Sequence, residues 1–256
     1  MPRRRLRRLS TDLWPEGYGR LILEEATSTM AEAAARAGTL DRPTWILARH
    51  QTGGRGRRGR AWTFQEGNFA ATLLMQPACT PAEAARRSFL AANALYETLA
   101  IYVDRNALAL KWPNDVLLNE GKVAGILLES SGRGPYVDWL SIGIGVNLVA
   151  APPDDRKDAF RPVSLTQQGG ETVSAEDFLT MLAQHYATQE GMLERLGFAR
   201  VRDEWLGNAA RLGEVITART QREEITGRFE TVDDEGCLVL ETGDGRRAIP
   251  AADVYF

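Results

Sequence analysis

Short runs of apolar residues, separated by polar and glycine-rich segments, recur along the first 150 residues of the chain. Runs of four to eight residues that are rich in branched and aromatic side chains are typical of β-strands. The strands predicted in this way lie at 21–24, 44–49, 68–75, 108–112, 116–118, 122–129 and 137–148, the last as one long strand or as a pair.

Three segments have the apolar spacing of helices and begin with capping signals. Thr29-Met-Ala-Glu32 has the capping-box pattern and predicts that Thr29 caps an alanine-rich helix. Thr80-Pro81-Ala-Glu83 has the same pattern with proline at the first helical position, and its helix is predicted to run to about residue 103. Ser174 begins a third helical segment that extends to about residue 208.

Beyond residue 209 the pattern changes to short β segments separated by polar turns. Their spacing predicts a small β-barrel-like unit over 209–256. Hairpins and helices are segregated within 20–208 rather than strictly alternating, which predicts a main domain of the α+β class. Residues 1–19 are basic and then broken by glycine and proline, so we expect an unpacked basic arm.

The composition is that of a globular protein and argues against several classes of function. The 256 residues carry 31 Lys and Arg against 34 Asp and Glu, a net charge of −3, so bulk charge does not indicate nucleic-acid binding. Cys79 and Cys237 are far apart, which fits neither a disulfide framework nor a zinc site. Because no apolar run approaches the ~20 residues of a membrane span and no secretory signal is present, we expect a cytoplasmic protein without a membrane partner.

The strongest chemical signal is a glycine- and arginine-rich loop at 51–62. Between Asp41 and Glu66 the chain has no acidic residue, so we expect that no neighbouring carboxylate cancels the arginine charge. The arginines lie at positions 42, 49, 55, 57, 58 and 60. Glycines let backbone amides turn toward a ligand, and guanidinium groups donate forked hydrogen bonds to phosphate or carboxylate oxygens. The loop therefore predicts an anion site, mobile when empty and ordered on binding.

Three interpretations of this loop stay open. Residues 54–59 fit the GxGxxG pattern of a dinucleotide site, but the sequence after residue 60 does not start the helix that such a site needs. A basic loop that contacts nucleic acid is the second interpretation, supported by the arginine-rich residues 3–8. A phosphate-binding catalytic loop is the third.

Two further segments carry chemistry. Lys111-Trp-Pro-Asn-Asp115 follows an apolar strand and brings a cation, an amide and a carboxylate together at a strand end; the alternative is an Asx turn with Lys111 in solvent. Lys122 starts the next strand, where alternation predicts that Lys122 and Ala124 share a face and Gly125 allows close approach of a ligand.

Two glycines interrupt the apolar strand near residue 144. Gly143 and Gly145 weaken the strand unless something flat lies against its backbone, and a β-bulge is the alternative. No Ser/His/Asp set, Walker A sequence or pair of carboxylates can be assembled from the sequence. The lysine and arginine side chains are then the apparent catalytic groups. Cations directed at a phosphate favour nucleotidyl transfer as the reaction.

The chain resembles the biotin protein ligase family in four motifs that occur in the order of that family. They are GRGRRGR at 54–60, KWPND at 111–115, KVAGIL at 122–127 and GIGVN at 143–147. The resemblance extends from Ser28 to the C-terminal Phe256. It implies a central mixed or antiparallel sheet with helices on one face, as in class II synthetases, followed by a small SH3-like β-barrel.

The resemblance also implies a two-step reaction. Biotin and ATP, with Mg²⁺, form biotinyl-5′-AMP and pyrophosphate. A specific lysine of a biotin carboxyl carrier protein, part of acetyl-CoA carboxylase or a related carboxylase, then accepts the biotinyl group. Because the first step brings one anion onto another, cations at the reacting phosphate are expected to carry the catalysis.

The resemblance assigns residues to the site, with Lys122 and Arg57 as the catalytic candidates. The residues assigned to biotin are Ser28, Thr29, Met30, Gln51, Gly54, Arg55, Gly56, Arg57, Lys122, Gly125 and Gly145. Those assigned to the nucleotide are Arg57, Arg60, Trp62, Lys111, Asn114, Asp115 and Asn147, with Asp115 also beside Mg²⁺. Met30 departs from the family, in which asparagine is usual after this Ser-Thr pair, so the polar contact of that asparagine is not predicted here.

Bifunctional members of the family carry an N-terminal helix-turn-helix domain, whereas here the ligase motifs begin almost at once. We therefore expect a monofunctional ligase without a specific DNA partner, and the resemblance is compatible with a homodimer. Two other functions stay as alternatives. A lipoate ligase or octanoyl transferase of the same superfamily shares the fold and the acyl chemistry, and a non-enzymatic protein would bind nucleic acid through the basic loop alone.

Overall fold

The structure, a computed structural model, describes residues 13–154 and 160–256. The helices are α1 (Thr29–Arg36), α2 (Pro81–Leu99), α3 (Ala175–Leu196) and α4 (Phe198–Gly207). The strands up to residue 154 are β1 (Gly19–Ala26), β2 (Thr44–Gln51), β3 (Gly54–Arg55), β4 (Ala61–Trp62), β5 (Phe69–Met75), β6 (Leu108–Lys111), β7 (Asp115–Leu118), β8 (Gly121–Ser131) and β9 (Trp139–Val146). The C-terminal strands are β10 (Val215–Arg219), β11 (Glu224–Val232), β12 (Leu238–Thr242), β13 (Gly245–Ile249) and β14 (Asp253–Tyr255). Within the described residues, no helix is both long and apolar enough to cross a membrane.

The main sheet joins its strands in the order β1-β2-β5-β9-β8-β7-β6. β1 and β2 are parallel because α1 carries the chain back between them, and each other pair of neighbours is antiparallel. The predicted α+β class and the mixed central sheet are therefore confirmed. The segment predicted at 137–148 as one strand or a pair is the single strand β9.

The helices cover both faces of this sheet, so the expectation that they lie on one face is wrong. On one face, Trp45 of β2 packs edge-on against Tyr186 of α3. On the other face, Ile46 of β2 packs with Ala33 of α1 and with Leu74. The physical reason is that β2 is apolar on both sides: a continuous apolar strand, unlike an alternating one, is buried on both faces.

The start of α1 differs from the predicted capping box. Ser28 is the N-cap and makes no side-chain capping hydrogen bond, while Thr29 lies inside the helix. The backbone N–H of Thr29 donates to Oε1 of Gln51 at 3.0 Å, so a side chain from β2 satisfies the helix terminus. The capping box of α2 is confirmed, with Thr80 and Glu83 bonded reciprocally.

A β-bulge changes which side chains of β8 face the same way. Leu117 pairs with Lys122 and Val116 pairs with Ala124, which leaves Val123 as the extra residue. Val123 and Ala124 are consequently both buried in the core. The expectation that Lys122 shares a face with Ala124 is therefore wrong, because simple alternation fails at a bulge.

The C-terminal strands form a five-stranded antiparallel sheet in the order β13-β12-β11-β10-β14, which fits the predicted small β unit. This sheet shares its core with the main domain. Trp112 Nε1 donates to the carbonyl of Gly236 at 3.1 Å, and Leu110 bonds to the backbone beside Ala209. The two sheets are thus packed against each other around the KWPND segment.

Residues 1–12 of the expected arm, including the arginine-rich residues 3–8, lie outside the described residues. Farther along, Trp14 and Tyr18 pack against the main core, and Trp14 Nε1 donates to the carbonyl of Tyr18 at 2.8 Å. The expectation of an unpacked chain up to residue 19 is therefore wrong from Trp14 onward, because two aromatic side chains find an apolar surface there.

A buried ion pair joins α2 to α3 on the face away from α1. Arg87 Nη2 lies 2.5 Å from Oε1 of Glu190, and the hydroxyl of Tyr186 donates to Oε2 of Glu190 at 3.1 Å. Both charged residues are about nine-tenths buried. Removal of either partner alone would leave a buried charge without compensation.

We predict that Glu190→Ala lowers the free energy of unfolding by about 3 kcal/mol, because the guanidinium of Arg87 stays buried without its carboxylate. Urea unfolding followed by circular dichroism measures the change. The matched control is Glu194→Ala at an exposed position one turn later in the same helix, for which we expect a change within about 0.5 kcal/mol. Equal effects of the two substitutions would contradict the structural role of the pair.

Candidate functional site

A cavity of about 550 Å³ opens on the α1 face of the main sheet. Its floor is formed by β8 and β9, and its walls come from the start of α1, the arginine-rich loop, the KWPND turn and β14. The lining residues are Ser28, Thr29, Met30, Gln51, Arg55, Gly56, Arg57, Arg60, Ala61, Trp62, Thr63, Ala70, Lys111, Pro113, Asn114, Asp115, Lys122, Gly125, Ile126, Leu127, Gly143, Ile144, Gly145, Asn147, Pro152, Pro153, Phe160, Pro162 and Asp253.

Each predicted site residue except Gly54 is among the residues that line this cavity. Gly54 instead packs inside the loop, where a Cβ would lie 2.5 Å from Nε2 of Gln51 and 2.6 Å from the carbonyl oxygen of Trp62. A glycine is therefore required there by the folding of the β3–β4 hairpin. The expected direct approach of Gly54 to a ligand is not what the structure shows.

The glycines of the floor leave it flat and make room for two side chains. β9 pairs without interruption with both neighbours, so the β-bulge alternative is wrong for Gly143 and Gly145. A Cβ on Gly143 would lie 2.6 Å from Sδ of Met30, and one on Gly145 would overlap the indole of Trp62. The sequence predicted that a flat group lies against this part of β9, and at Gly145 that group is the indole of Trp62.

One end of the cavity is polar and buried. Ser28, Thr29 and Gln51 are each less than 8% exposed. The hydroxyl of Thr72 donates to Oγ1 of Thr29 at 2.8 Å, and Oε1 of Gln51 accepts from the backbone of Thr29. Because these groups are fixed by one another, they can present donors and acceptors to a polar ligand without further ordering.

The other end is a cluster of charges around one carboxylate. Asp115 Oδ1 lies 2.6 Å from Nζ of Lys122, and Oδ2 lies 3.7 Å from Nζ of Lys111. Burial alone would raise the pKa of Asp115, but the two lysines hold this pKa below its usual value. Burial lowers the pKa of Lys111, whose Nζ lies 4.7 Å from the ring centroid of Phe160. The alternative of a solvated Lys111 beside an Asx turn is therefore wrong.

Positive charge exceeds negative charge at this end. Among the described lining residues, five are cationic and two are acidic. Arg57 Nη1 lies 3.4 Å from Oδ1 of Asn114, and burial lowers the pKa of Arg57. A cavity with this excess of positive charge can bind more than one anionic group.

The arginine-rich loop is a short hairpin, β3–β4, closed by a 3-10 turn at Arg57–Gly59. Carboxylates from distant parts of the sequence pair with its arginines: Asp253 with Arg58 and Arg60, and Glu129 with Arg55 at 3.5 Å. The loop's arginine charge is thus not cancelled within its own stretch of sequence, as expected, but carboxylates distant in sequence and close in the fold cancel part of it. No helix opens after the loop, so the dinucleotide interpretation is excluded.

Several lining residues were not predicted from the sequence. Asp253 belongs to the C-terminal sheet, and no local pattern links it to a loop almost 200 residues earlier. Phe160 reaches the cavity over Lys111, again without a local signal. The Pro152-Pro153 pair does mark an irregular segment that follows β9 and could have indicated a wall.

The described residues contain no group of three His, Cys, Asp or Glu side chains that could hold a metal ion. Each carboxylate of the cavity is also bound by two cations: Asp115 by two lysines and Asp253 by two arginines. These residues therefore do not fit a Mg²⁺ site built from protein side chains, and Asp115 is not suited as its ligand.

Two family models match the chain. The model described as "Biotin/lipoate A/B protein ligase family" matches residues 18–147, and the one described as "Biotin protein ligase C terminal domain" matches residues 212–256. Residues 148–211, which include α3 and α4, lie between the two matches, and the second match begins just before the first strand of the C-terminal sheet.

Curated relatives match this chain over more than nine-tenths of its length. The biotin--[acetyl-CoA-carboxylase] ligase of Paracoccus denitrificans is 50% identical over 238 residues, which are 92% of this chain and 99% of that protein. The bifunctional ligase/repressor BirA of Bacillus subtilis is 32% identical over 244 residues, 91% of this chain and 73% of that protein. Among solved structures, the biotin protein ligase from Aquifex aeolicus in complex with biotin and ATP has a TM-score of 0.76 at 24% identity and covers 93% of this chain and 97% of that one.

We predict that Asp115→Asn lowers the free energy of unfolding at pH 7 by about 2 kcal/mol, because the buried Lys111 and the half-buried Lys122 lose their carboxylate. The folded-state pKa of Asp115 lies below its unfolded value of about 3.9, so the stabilisation is complete above that pH and is lost as the pH falls through the folded pKa. The difference between wild type and variant should narrow below about pH 4.

Urea unfolding at a series of pH values measures this difference, with Asp138→Asn at an exposed position as the control. A difference between wild type and Asp115→Asn that stays constant down to pH 3, or widens, would contradict the charge cluster.

Proposed function

The chain belongs to the biotin protein ligase family, and we propose that it forms biotinyl-5′-AMP from biotin and ATP and transfers the biotinyl group to a lysine of a biotin carboxyl carrier protein. The acceptor that we expect is the carrier domain of acetyl-CoA carboxylase, the enzyme named in the description of the Paracoccus relative. The observation that carries the proposal is that one cavity joins a polar buried end to an end with excess positive charge.

The polar end fits the ureido ring of biotin. That ring has two N–H donors and a carbonyl acceptor, which need fixed polar partners when they are taken out of water. Ser28 uses no side-chain bond to cap α1, so its hydroxyl is available, and Thr29 and Gln51 are held beside it. An unfunctionalised acyl chain would leave these buried groups without partners, which favours biotin over octanoate.

The cationic end fits the reacting carboxylate and phosphate. In the first step, a carboxylate oxygen of biotin forms a bond to the α-phosphorus of ATP, and the bond from that phosphorus to the pyrophosphate oxygen breaks. Lys122 and Arg57 reduce the repulsion between the two anions and stabilise the charge that develops on the α-phosphoryl oxygens. Asp115 holds the ammonium group of Lys122 at this point, with Nζ 2.6 Å from Oδ1.

In the second step, the lysine amine of the carrier attacks the acyl carbon of the adenylate. The new C–N bond forms as the bond from that carbon to the phosphate oxygen breaks, AMP leaves, and the amine loses a proton. The chain's own residues contribute by holding the mixed anhydride in the cavity, where proximity replaces a strong catalytic base.

The nucleotide extends over the floor of the cavity. Trp62 lies over Gly145 and Gly125, where an added Cβ would meet its indole, and the face of this indole offers a stacking surface for adenine. Asn147 lines the same region; one N–H of its Nδ2 donates to the carbonyl of Val163 at 3.1 Å, which leaves the amide oxygen and the second N–H for the ligand. We expect Mg²⁺ to enter with the triphosphate, because this ion is commonly held by few protein groups and by substrate phosphates.

The non-enzymatic alternative predicts arginines displayed for a nucleic-acid backbone. In the described loop, Arg58 and Arg60 pair with Asp253 and Arg57 lines the cavity. The loop therefore forms a wall of the cavity, which favours the ligase function over nucleic-acid binding.

We predict that Lys122→Ala lowers biotin-dependent exchange of labelled pyrophosphate into ATP by at least about 100-fold, because the junction of carboxylate and phosphate loses its nearest cation. Arg133→Ala, at an exposed turn far from the cavity, is the control and should keep wild-type exchange. Near-normal exchange by Lys122→Ala would remove Lys122 from the mechanism. Wild-type exchange that needs lipoate or octanoate instead of biotin would overturn the proposed substrate.

A further inference from the structure

A carboxylate of the C-terminal sheet reaches the arginine-rich loop. Oδ2 of Asp253, the first residue of β14, lies 2.6 Å from Nη1 of Arg58 and 2.9 Å from Nη2 of Arg60. The backbone carbonyl of the preceding residue, Ala252, accepts from Nη1 of Arg57 at 3.5 Å. Two consecutive residues of one domain thus hold three arginines of a single turn in the other.

The location of Asp253 is unfavourable by simple electrostatics. It lines the cavity together with Lys111 and Arg57, where a negative charge repels the phosphates of a nucleotide. Its side chain is 19% exposed, so the repulsion is less screened than at the open surface. The unfavourable repulsion must be offset by another contribution of Asp253. Its two ion pairs, with Arg58 and Arg60, indicate that this contribution is to hold the loop.

The turn that carries Arg58 also needs an external anchor. Arg58 has φ +56°, in the left-handed region that is unfavourable for residues with a side chain. No residue of the turn is buried, so apolar packing does not hold its shape. Paired guanidinium–carboxylate bonds are among the stronger polar contacts and supply that anchor from β14.

We infer that Asp253 is a positioning residue, which binds Arg58 and Arg60 and thereby closes the loop over the bound nucleotide. This inference rests on the proposed function, because it assigns the closed loop to the retention of ATP and of the adenylate. It also explains why the C-terminal sheet is packed beside the cavity: the sheet supplies the anchor of the loop.

The test compares Asp253→Asn with the wild-type protein in pyrophosphate exchange and in release of biotinyl-5′-AMP without a carrier. Loss of the charge should raise the KM for ATP about fivefold, change kcat by less than about twofold, and speed adenylate release about fivefold. Asp253→Glu keeps the charge, so its KM for ATP and its rate of adenylate release should lie closer to the wild-type values than those of Asp253→Asn. A purely structural effect would not be rescued by charge in this way.

A double-mutant cycle identifies the partner. Arg58→Gln alone should give part of the effect of Asp253→Asn, because the ion pair of Asp253 with Arg60 remains, and the double variant should be no worse than Asp253→Asn alone. The control is Glu230→Gln, which breaks an exposed ion pair with Arg246 in the same sheet and should leave all values unchanged. If Asp253→Asn fails to fold, Arg58→Gln tests the same contact from the loop.

Additive effects in the cycle, an unchanged KM for ATP in Asp253→Asn, or a lower KM from relief of repulsion would each overturn the inference. Failure of the proposed function has a different signature, since wild-type protein would then show no biotin-dependent exchange at all.

Discussion

A single carboxylate, Asp115, holds the charged end of the cavity together. It lies between Lys111 and Lys122, which would otherwise repel each other in a place where burial lowers the pKa of Lys111. With Asp115 ionised, both cations keep their positions, yet their joint charge still exceeds that of the carboxylate. The remaining positive charge is what a carboxylate and a phosphate need in order to approach each other.

The fold places this cluster between two elements that the reaction also needs. The floor is kept flat by Gly125 and Gly145, on which Trp62 lies, and the polar groups of α1 and β2 stand at the buried end. Helices α2 and α3 cover the opposite face of the sheet, whereas on the face that carries the cavity only the single helix α1 packs over β2 and β5 in the described residues. The C-terminal sheet completes the wall with Asp253, which explains why a ligase cavity depends on a second domain.

The sequence predicted the parts of this site that are encoded locally, and the rest depends on packing. Glycine- and proline-bounded motifs placed the arginine-rich loop, the KWPND turn and the floor strand correctly, because turn chemistry and apolar runs act over a few residues. The cap of α1, the face of Lys122 and the pairing of Arg58 were not predicted. Gln51 displaced the local cap, a bulge at Val123 shifted the alternation, and Asp253 reached the loop from almost 200 residues away. In each case a contact between distant segments overrode a local preference.

The most direct test of the account follows an isotope through the reaction. Biotin labelled with oxygen-18 in its carboxylate is incubated with ATP and the carrier protein, and the released AMP is analysed by mass spectrometry. If the carboxylate attacks the α-phosphorus at the cationic end, AMP should carry one labelled oxygen and pyrophosphate none. Unlabelled AMP, with biotin nevertheless attached to the carrier, would contradict an adenylate formed in this cavity.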